Sequence, residues 1–129
     1  MDTIWIVDDD EIFQFITRKS IEKIDTSKHI ISYSNGEQAF KSINNAIHQE
    51  NGLPDIILLD INMPVMDGWE FLQQYSGVSD NSNKKPTIYM VSSSIDQKDL
   101  IKAHNSVFIT DYITKPIDED KMIEILNNR

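Results

Sequence analysis

The chain contains no cysteine, which excludes disulfides, thiolate metal sites and cysteine nucleophiles together. It has no block of lysine or arginine, and its formal net charge is −9. Phosphate backbones and anionic headgroups are gripped by positive faces, so neither nucleic acid nor a membrane surface is an expected partner. No apolar run approaches the roughly 20 residues needed to cross a bilayer. Met1-Asp2-Thr3 lacks the basic start of a signal peptide, and no repeat or low-complexity tract is present. What remains is 129 residues with the apolar content of a folded chain, enough for one core and too short for two ordinary ones. The expectation is a soluble, cytoplasmic protein with residues 1–129 forming one domain.

The stretch from Asp55 to Gly68 organises the rest. Ile56 to Leu59 is a short, continuous apolar run, the pattern of a strand buried on both faces of a parallel sheet. It stops on a carboxylate, Asp60. A turn containing Pro64 follows, then a helix start at Asp67-Gly68-Trp69-Glu70, with an Asx cap and a Glu three residues later. Open α/β sheets place their chemistry where a buried strand meets water at its C-terminal tip. On this stretch alone, Asp60 could equally just open a turn.

The same alternation runs along the chain. Ile4 to Val7 reads as a first strand, ending on Asp8-Asp9-Asp10-Glu11. Phe13, Ile16, Thr17, Ser20, Ile21 and Ile24 recur at helical spacing, predicting a helix over about 10–24. His29 to Tyr33 is a second strand. Ser34-Asn35-Gly36-Glu37 reads as a capping box before a helix with Phe40, Ile43 and Ile47 on one stripe. The polar segment Ser76 to Lys85 is expected to be the least ordered. Thr87 to Val91 is a fourth strand, ending in Ser92-Ser93-Ser94. Ser94 and Gln97 suggest a capping box opening a helix to about Asn105. Val107 to Ile113 is the fifth strand, ending Thr114-Lys115-Pro116. Asp118-Glu119-Asp120 complements the positive end of a last helix whose inner face carries Met122, Ile125 and Leu126. Strict alternation implies right-handed crossovers and a parallel sheet covered by helices on both faces. The expected strand order is 2-1-3-4-5, a five-stranded, flavodoxin-like three-layer sandwich with five helices.

In that order the tips of strands one, three, four and five bring Asp8 and Asp9, Asp60, Ser92 and Lys115 to one rim. Two like charges about 4 Å apart repel by about 1 kcal/mol in water and about 4 at a protein surface. A cluster of carboxylates therefore calls for a cation, and an all-oxygen site suits Mg²⁺ or Mn²⁺ better than zinc. With the Lys115 ammonium and the Ser92 hydroxyl, the rim would cradle a phosphoryl group in transfer, Asp60 being the nucleophile.

These pieces resemble the receiver domain of a two-component response regulator, stand-alone and chemotaxis-regulator-like, over essentially the full chain. The residues that carry the likeness are Val7-Asp8-Asp9, Asp60 to Gly68, Ser92, and Tyr112-Ile113-Thr114-Lys115-Pro116. The resemblance implies that Asp60 accepts a phosphoryl group from a phosphohistidine of a sensor kinase. It implies that Asp9 and Asp60 ligate Mg²⁺, with the Asn62 backbone carbonyl as a further ligand and Asp8 acting largely through water. Lys115 would contact the phosphoryl group and Ser92 would bond to it. Tyr112 would be the aromatic that swings inward as the Ser92 backbone moves. Ser92 stands where the family has Thr or Ser; Asn62 and Ser94 stand at positions that tune dephosphorylation.

Plainer readings accompany several residues. Tyr112 could be an ordinary half-buried strand aromatic. Asp10 and Glu11 fit first-turn helix acids better than ligands, and Trp5 and Trp69 fit packing better than recognition. His29, His48 and His104 show no metal or triad spacing and are expected on the surface. Ile12 and Phe15 fall off the inner stripe beside the acidic rim, where a kinase or histidine phosphotransfer domain would dock. A cis bond at Pro116 would turn Lys115 into the cleft. One rival function is a haloacid-dehalogenase-like phosphohydrolase, but Asn62 cannot be the second acid and a cap domain is missing. A calcium loop is interrupted by Ile61, Met63 and Pro64. A receiver-like scaffold that takes no phosphate is the third rival. The last helix leaves no room for an output domain before Arg129, so the expectation is a stand-alone regulator acting on an unknown downstream protein, or a fragment of a longer one.

Overall fold

The computed structural model describes residues 2–47, 49, 52–81 and 84–127. Five segments are strands: β1 (Thr3–Val7), β2 (His29–Tyr33), β3 (Ile56–Asp60), β4 (Thr87–Ser92) and β5 (Ile109–Thr114). They form one parallel sheet in the order β2-β1-β3-β4-β5, the order expected from the sequence. The connecting helices are α1 (Glu11–Ile24), α2 (Gly36–Ala46), α3 (Gly68–Ser76), α4 (Gln97–Asn105) and α5 (Glu119–Asn127).

Successive side chains on a strand point to opposite faces, so each central strand supplies two cores. Trp5, Val7, Ile57, Leu59, Ile88 and Met90 pack on one face with Ala39 and Ile43 of α2 and with Phe71, Leu72 and Tyr75 of α3. Ile4, Ile6, Ile56, Leu58, Tyr89 and Val91 pack on the other with Phe13 and Ile21 of α1 and Met122, Ile125 and Leu126 of α5. Every position of β3 is buried. Each such aliphatic side chain contributes roughly 1.5–3 kcal/mol by leaving water, so the tip of β3 is a fixed platform.

Several boundaries differ from the sequence reading for local reasons. α2 is capped by Asn35, whose carboxamide oxygen accepts from Gln38 N at 2.9 Å, while the Gln38 side chain accepts from Ser34 N. The box is therefore shifted one residue beyond Ser34 and Glu37. A Cβ on Gly36 would lie 2.7 Å from the Met66 carbonyl oxygen, so the helix starts where glycine allows the contact. α4 is capped by Asp96, which accepts from Lys98 N at 2.8 Å, and not by Ser94. β5 begins at Ile109, because Val107 lies in a turn and is 91% exposed. On α1 the buried residues are Phe13, Thr17 and Ile21; Ile16, read as inward, is exposed because the adjacent Thr17 takes the core direction. The capping box of Asp67 and Glu70 is present as expected. A single 3₁₀ turn, Ser79–Asn81, lies in the polar segment, of which Ser82 and Asn83 fall outside the described residues. Since all strands are parallel, their C-terminal tips share one edge, and the site lies there.

Candidate functional site

Val7 and Leu59 are paired neighbours on β1 and β3, so the next residue on each strand, Asp8 and Asp60, emerges side by side. Asp8 is 1% exposed and Asp60 5%; Asp9 turns outward into solvent. The carboxylates of Asp8, Asp9 and Asp60 each offer an oxygen within 4.8 Å of the others. Lys115, just past β5, reaches across. Its Nζ lies 2.7 Å from Asp8 Oδ2 and 3.6 Å from Asp60 Oδ1. Its ammonium also sits 4.4 Å from the ring centroid of Phe13, and its backbone N–H donates to the Ser92 carbonyl. The Lys115–Pro116 bond is cis.

Loop contacts fix these groups. Asp8 Oδ1 accepts from Asp10 N at 2.9 Å, and Asp10 in turn caps α1 by accepting from Ile12 N and Phe13 N. Gln14 donates to the carbonyls of Asp8 and Tyr33, bracing the tips of β1 and β2. On the far side, Gly68 N–H donates to the Ile61 carbonyl at 2.8 Å and Gly36 N–H to the Met66 carbonyl at 3.1 Å. Between them Val65 adopts a φ of 71°, a left-handed conformation that β-branched residues avoid.

Charge is out of balance here: three acids cluster, and the one lysine among them pairs with Asp8 and Asp60. Burial, then the neighbouring Asp8 charge, push the Asp60 carboxyl up to about 6, against the pull of Lys115 and the Asn62 backbone N–H. Asp8 is also raised, mainly by burial. Its Oδ2 is buried and receives no well-aligned hydrogen bond, so the close Lys115 ammonium acts as an ionic neighbour and not as a directed donor. An all-oxygen donor set with surplus negative charge, met at Asp8 Oδ2 only by an ion pair, fits a small, hard dication.

The other expected site residues are placed as follows. Ser92, 1% exposed, ends β4 beside β3, and its Oγ accepts from Ser94 N at 3.2 Å. Tyr112 is half-buried on β5, packs against the core on the α2–α3 face, and its hydroxyl donates to the Ser94 carbonyl at 3.0 Å. Asn62 is exposed two residues beyond Asp60. Ile12 and Phe15 are 71% and 60% exposed on α1. His29 and His104 are exposed, and His48 falls outside the described residues. Trp5 is buried as expected, but Trp69 is only half-buried and bonds to Asp99 of α4. Phe13, read from sequence only as part of the inner stripe of the first helix, also lies beneath Lys115, while Gln14 behind Asp8 was not singled out. The only further signal was their place in the first turns of the helix that follows the acidic run.

A flavodoxin-like sheet with clustered acids and a lysine at its strand tips has a match at family level. The chain belongs to the response regulator receiver domain family, whose model matches residues 4–127. It is therefore a domain of phosphorelay signalling, in a family of signalling phosphoacceptors. Among curated relatives it is 30% identical over 122 residues to the chemotaxis protein CheY of Listeria monocytogenes, covering 94% of this chain and 92% of that one. It is 30% identical over 125 residues to the probable C4-dicarboxylate response regulator DctR of Priestia megaterium, covering 96% of this chain and 50% of the relative. The chain spans half or less of the length of several other relatives it matches. The crystal structure of a two-component response regulator from Cytophaga hutchinsonii superposes with a TM-score of 0.88 at 28% identity, covering 98% of this chain and 95% of that one. Among the described residues no helix is long and apolar enough to cross a membrane.

Proposed function

We propose that residues 1–129 act as one cytoplasmic phosphoacceptor unit in which Asp60 takes a phosphoryl group from a phosphohistidine of a histidine kinase or histidine phosphotransfer domain. The carrying observation is that Asp60 is fixed at a buried strand tip beside Asp8, Asp9 and Lys115, where negative charge exceeds positive. Asp8, Asp9 and Asp60, with the backbone carbonyl of Asn62, would hold Mg²⁺, or Mn²⁺ in its place. When bound, the ion supplies charge neutralisation for the carboxylates and the incoming phosphoryl oxygens.

An Asp60 carboxylate oxygen bonds to phosphorus as the donor's N–P bond breaks, and the electron pair stays on the departing imidazole nitrogen. Lys115 is within reach of the Asp60 carboxylate to meet the transferred group's charge. Ser92 then donates its hydroxyl to a phosphoryl oxygen, and the movement this needs pulls its Oγ away from the Ser94 N–H that it now accepts from. Tyr112 is held by the same segment through the Ser94 carbonyl, so movement after Ser92 releases the ring. The gain of about two negative charges thus biases a two-state loop and aromatic, and through them a surface for a downstream protein. Ile12 and Phe15, large, apolar and exposed beside the rim, form the docking surface for the phosphodonor domain.

Incubation with a small-molecule phosphodonor and Mg²⁺ tests this reading. Stoichiometric, acid-stable, base-labile labelling of the wild type, absent in Asp60→Asn, is the expected result. Multiple turnover of a phosphomonoester would instead point to a hydrolase, and no labelling at all to a scaffold.

A further inference from the structure

Among the helices, α4 is held most lightly. Only Ala103 of its residues is buried, and a cleft of about 740 Å³ separates it from α3, lined by Trp69, Leu72, Ile101 and Phe108 among others. One side-chain bond crosses this cleft. Trp69 Nε1 donates to Asp99 Oδ1 at 3.0 Å in the first turn of α4. One turn on, Lys102 places its ammonium 4.6 Å from the indole centroid. At its other end Trp69 belongs to the Asp60 loop. The preceding residue, Gly68, donates to the Ile61 carbonyl, and a Cβ there would lie 2.5 Å from the Asp60 carbonyl oxygen. The capping box of Asp67 and Glu70 closes the same turn. The indole is therefore bolted to the backbone of Asp60 and Ile61 while its edge grips α4.

We infer that Trp69 is a positioning residue. With Asp99 it forms a second link between the Asp60 loop and α4, through α3, in addition to the link through Ser92, Ser94 and Tyr112. This link holds α4 in the unphosphorylated arrangement. The inference rests on Asp60 being the phosphoacceptor, because in that reading the segment after Ser92 shifts on phosphorylation. α4 starts only five residues after Ser92, so the shift reaches Asp99 while the indole stays with Asp60, and in this inference the bond between them is what the shift must give up. Breaking the Trp69–Asp99 bond in advance then lowers the free energy of switching.

The test measures binding of beryllofluoride to the full chain in excess Mg²⁺, read by NMR shifts of the Tyr112 ring and the Ser94 amide. Trp69→Phe keeps an aromatic ring without the N–H, Asp99→Ala removes the acceptor, and Asp99→Asn keeps an acceptor oxygen. Trp69→Phe and Asp99→Ala are each expected to bind about 2- to 10-fold more tightly than wild type, the range of one net hydrogen bond. The double variant should bind no more tightly than either single one, and Asp99→Asn should match wild type. Asp99 is half-exposed, so Asp99→Ala serves where Trp69→Phe does not fold. Thermal midpoints are recorded alongside. A lower midpoint without tighter binding assigns the contact to stability alone and overturns the inference, as does unchanged or weaker binding. A wild type that binds no beryllofluoride overturns the phosphoacceptor reading first, and the inference with it.

Discussion

The two ends of the sheet both carry clusters of aspartate and lysine, and they treat charge in opposite ways. At the N-terminal end, Lys28 pairs with Asp2 at 2.6 Å and Asp25 at 3.7 Å, while Asp55 accepts from Thr3 N at 2.7 Å and faces Lys84 at 3.0 Å. Asp25, bonded first by the Ser27 hydroxyl and backbone N–H, is held below the usual carboxylate range. At the C-terminal end three carboxylates cluster, Lys115 pairs with two of them, Asp8 and Asp60, and Asp60 is pushed up to about 6. The same residue types thus close the fold at one end and leave unmet charge at the other. Backbone strain gathers at the second end too, at Val65. Imbalance that stability alone would remove marks the place where a ligand is expected.

The sharpest way to break this comparison is to remove one aspartate at each end. Asp60→Asn is expected to abolish phosphoryl labelling, a loss of at least about a hundredfold on the scale of a missing nucleophile. Asp55→Ala should leave labelling intact and cost about 1–2 kcal/mol, since it removes a backbone cap and a half-screened ion pair. Denaturant unfolding and radiolabel incorporation, run on both variants, separate the two effects. If Asp55→Ala also abolishes labelling, the ends are not functionally distinct.

The pH dependence of stability follows from the same contrast. The Asp60 carboxyl is near 3.8 unfolded and about 6 folded, so between those values the folded chain holds the extra proton. Stability from this group is present below the lower value and is lost as pH rises through the upper one, a change on the order of 3 kcal/mol. Metal-free wild type should therefore lose stability from about pH 4 to above 6 relative to Asp60→Asn, and Mg²⁺ should restore it at neutral pH. Urea midpoints at several pH values check the sign. An equal slope in both proteins would mean that the Asp60 carboxylate is not under charge stress.

The smallest effect concerns the strained turn. Val65→Gly places a residue at φ 71° that tolerates it, and stability should rise by about 1 kcal/mol. A fall in stability would show that the Val65 side chain holds the turn by contacts that outweigh the strain.

Much of this was legible in sequence, for reasons that particular residues make plain. The apolar run Ile56 to Leu59 fixed β3 at the sheet centre, because only a strand buried on both faces carries no polar position. Once alternation made every strand parallel, the strand tips that carry Asp8, Asp60, Ser92 and Lys115 had to share an edge. Caps were harder. The choice of Asn35 over Ser34 depends on Met66, which meets Gly36 thirty residues further along the chain. Trp69 could be read only as a packing residue, since its partner Asp99 is equally far away and on another helix. The raised Asp60 likewise depends on burial and on Asp8, neither of which a local pattern reports.

The most direct measurement is the anomalous map of crystals soaked in Mn²⁺. A single strong peak ligated by Asp9 and Asp60, with none at the Asp2, Asp25 and Asp55 end, is the expected result. A peak at the opposite end, or Asp9 and Asp60 carboxylates that remain too far apart to share an ion, would contradict the account.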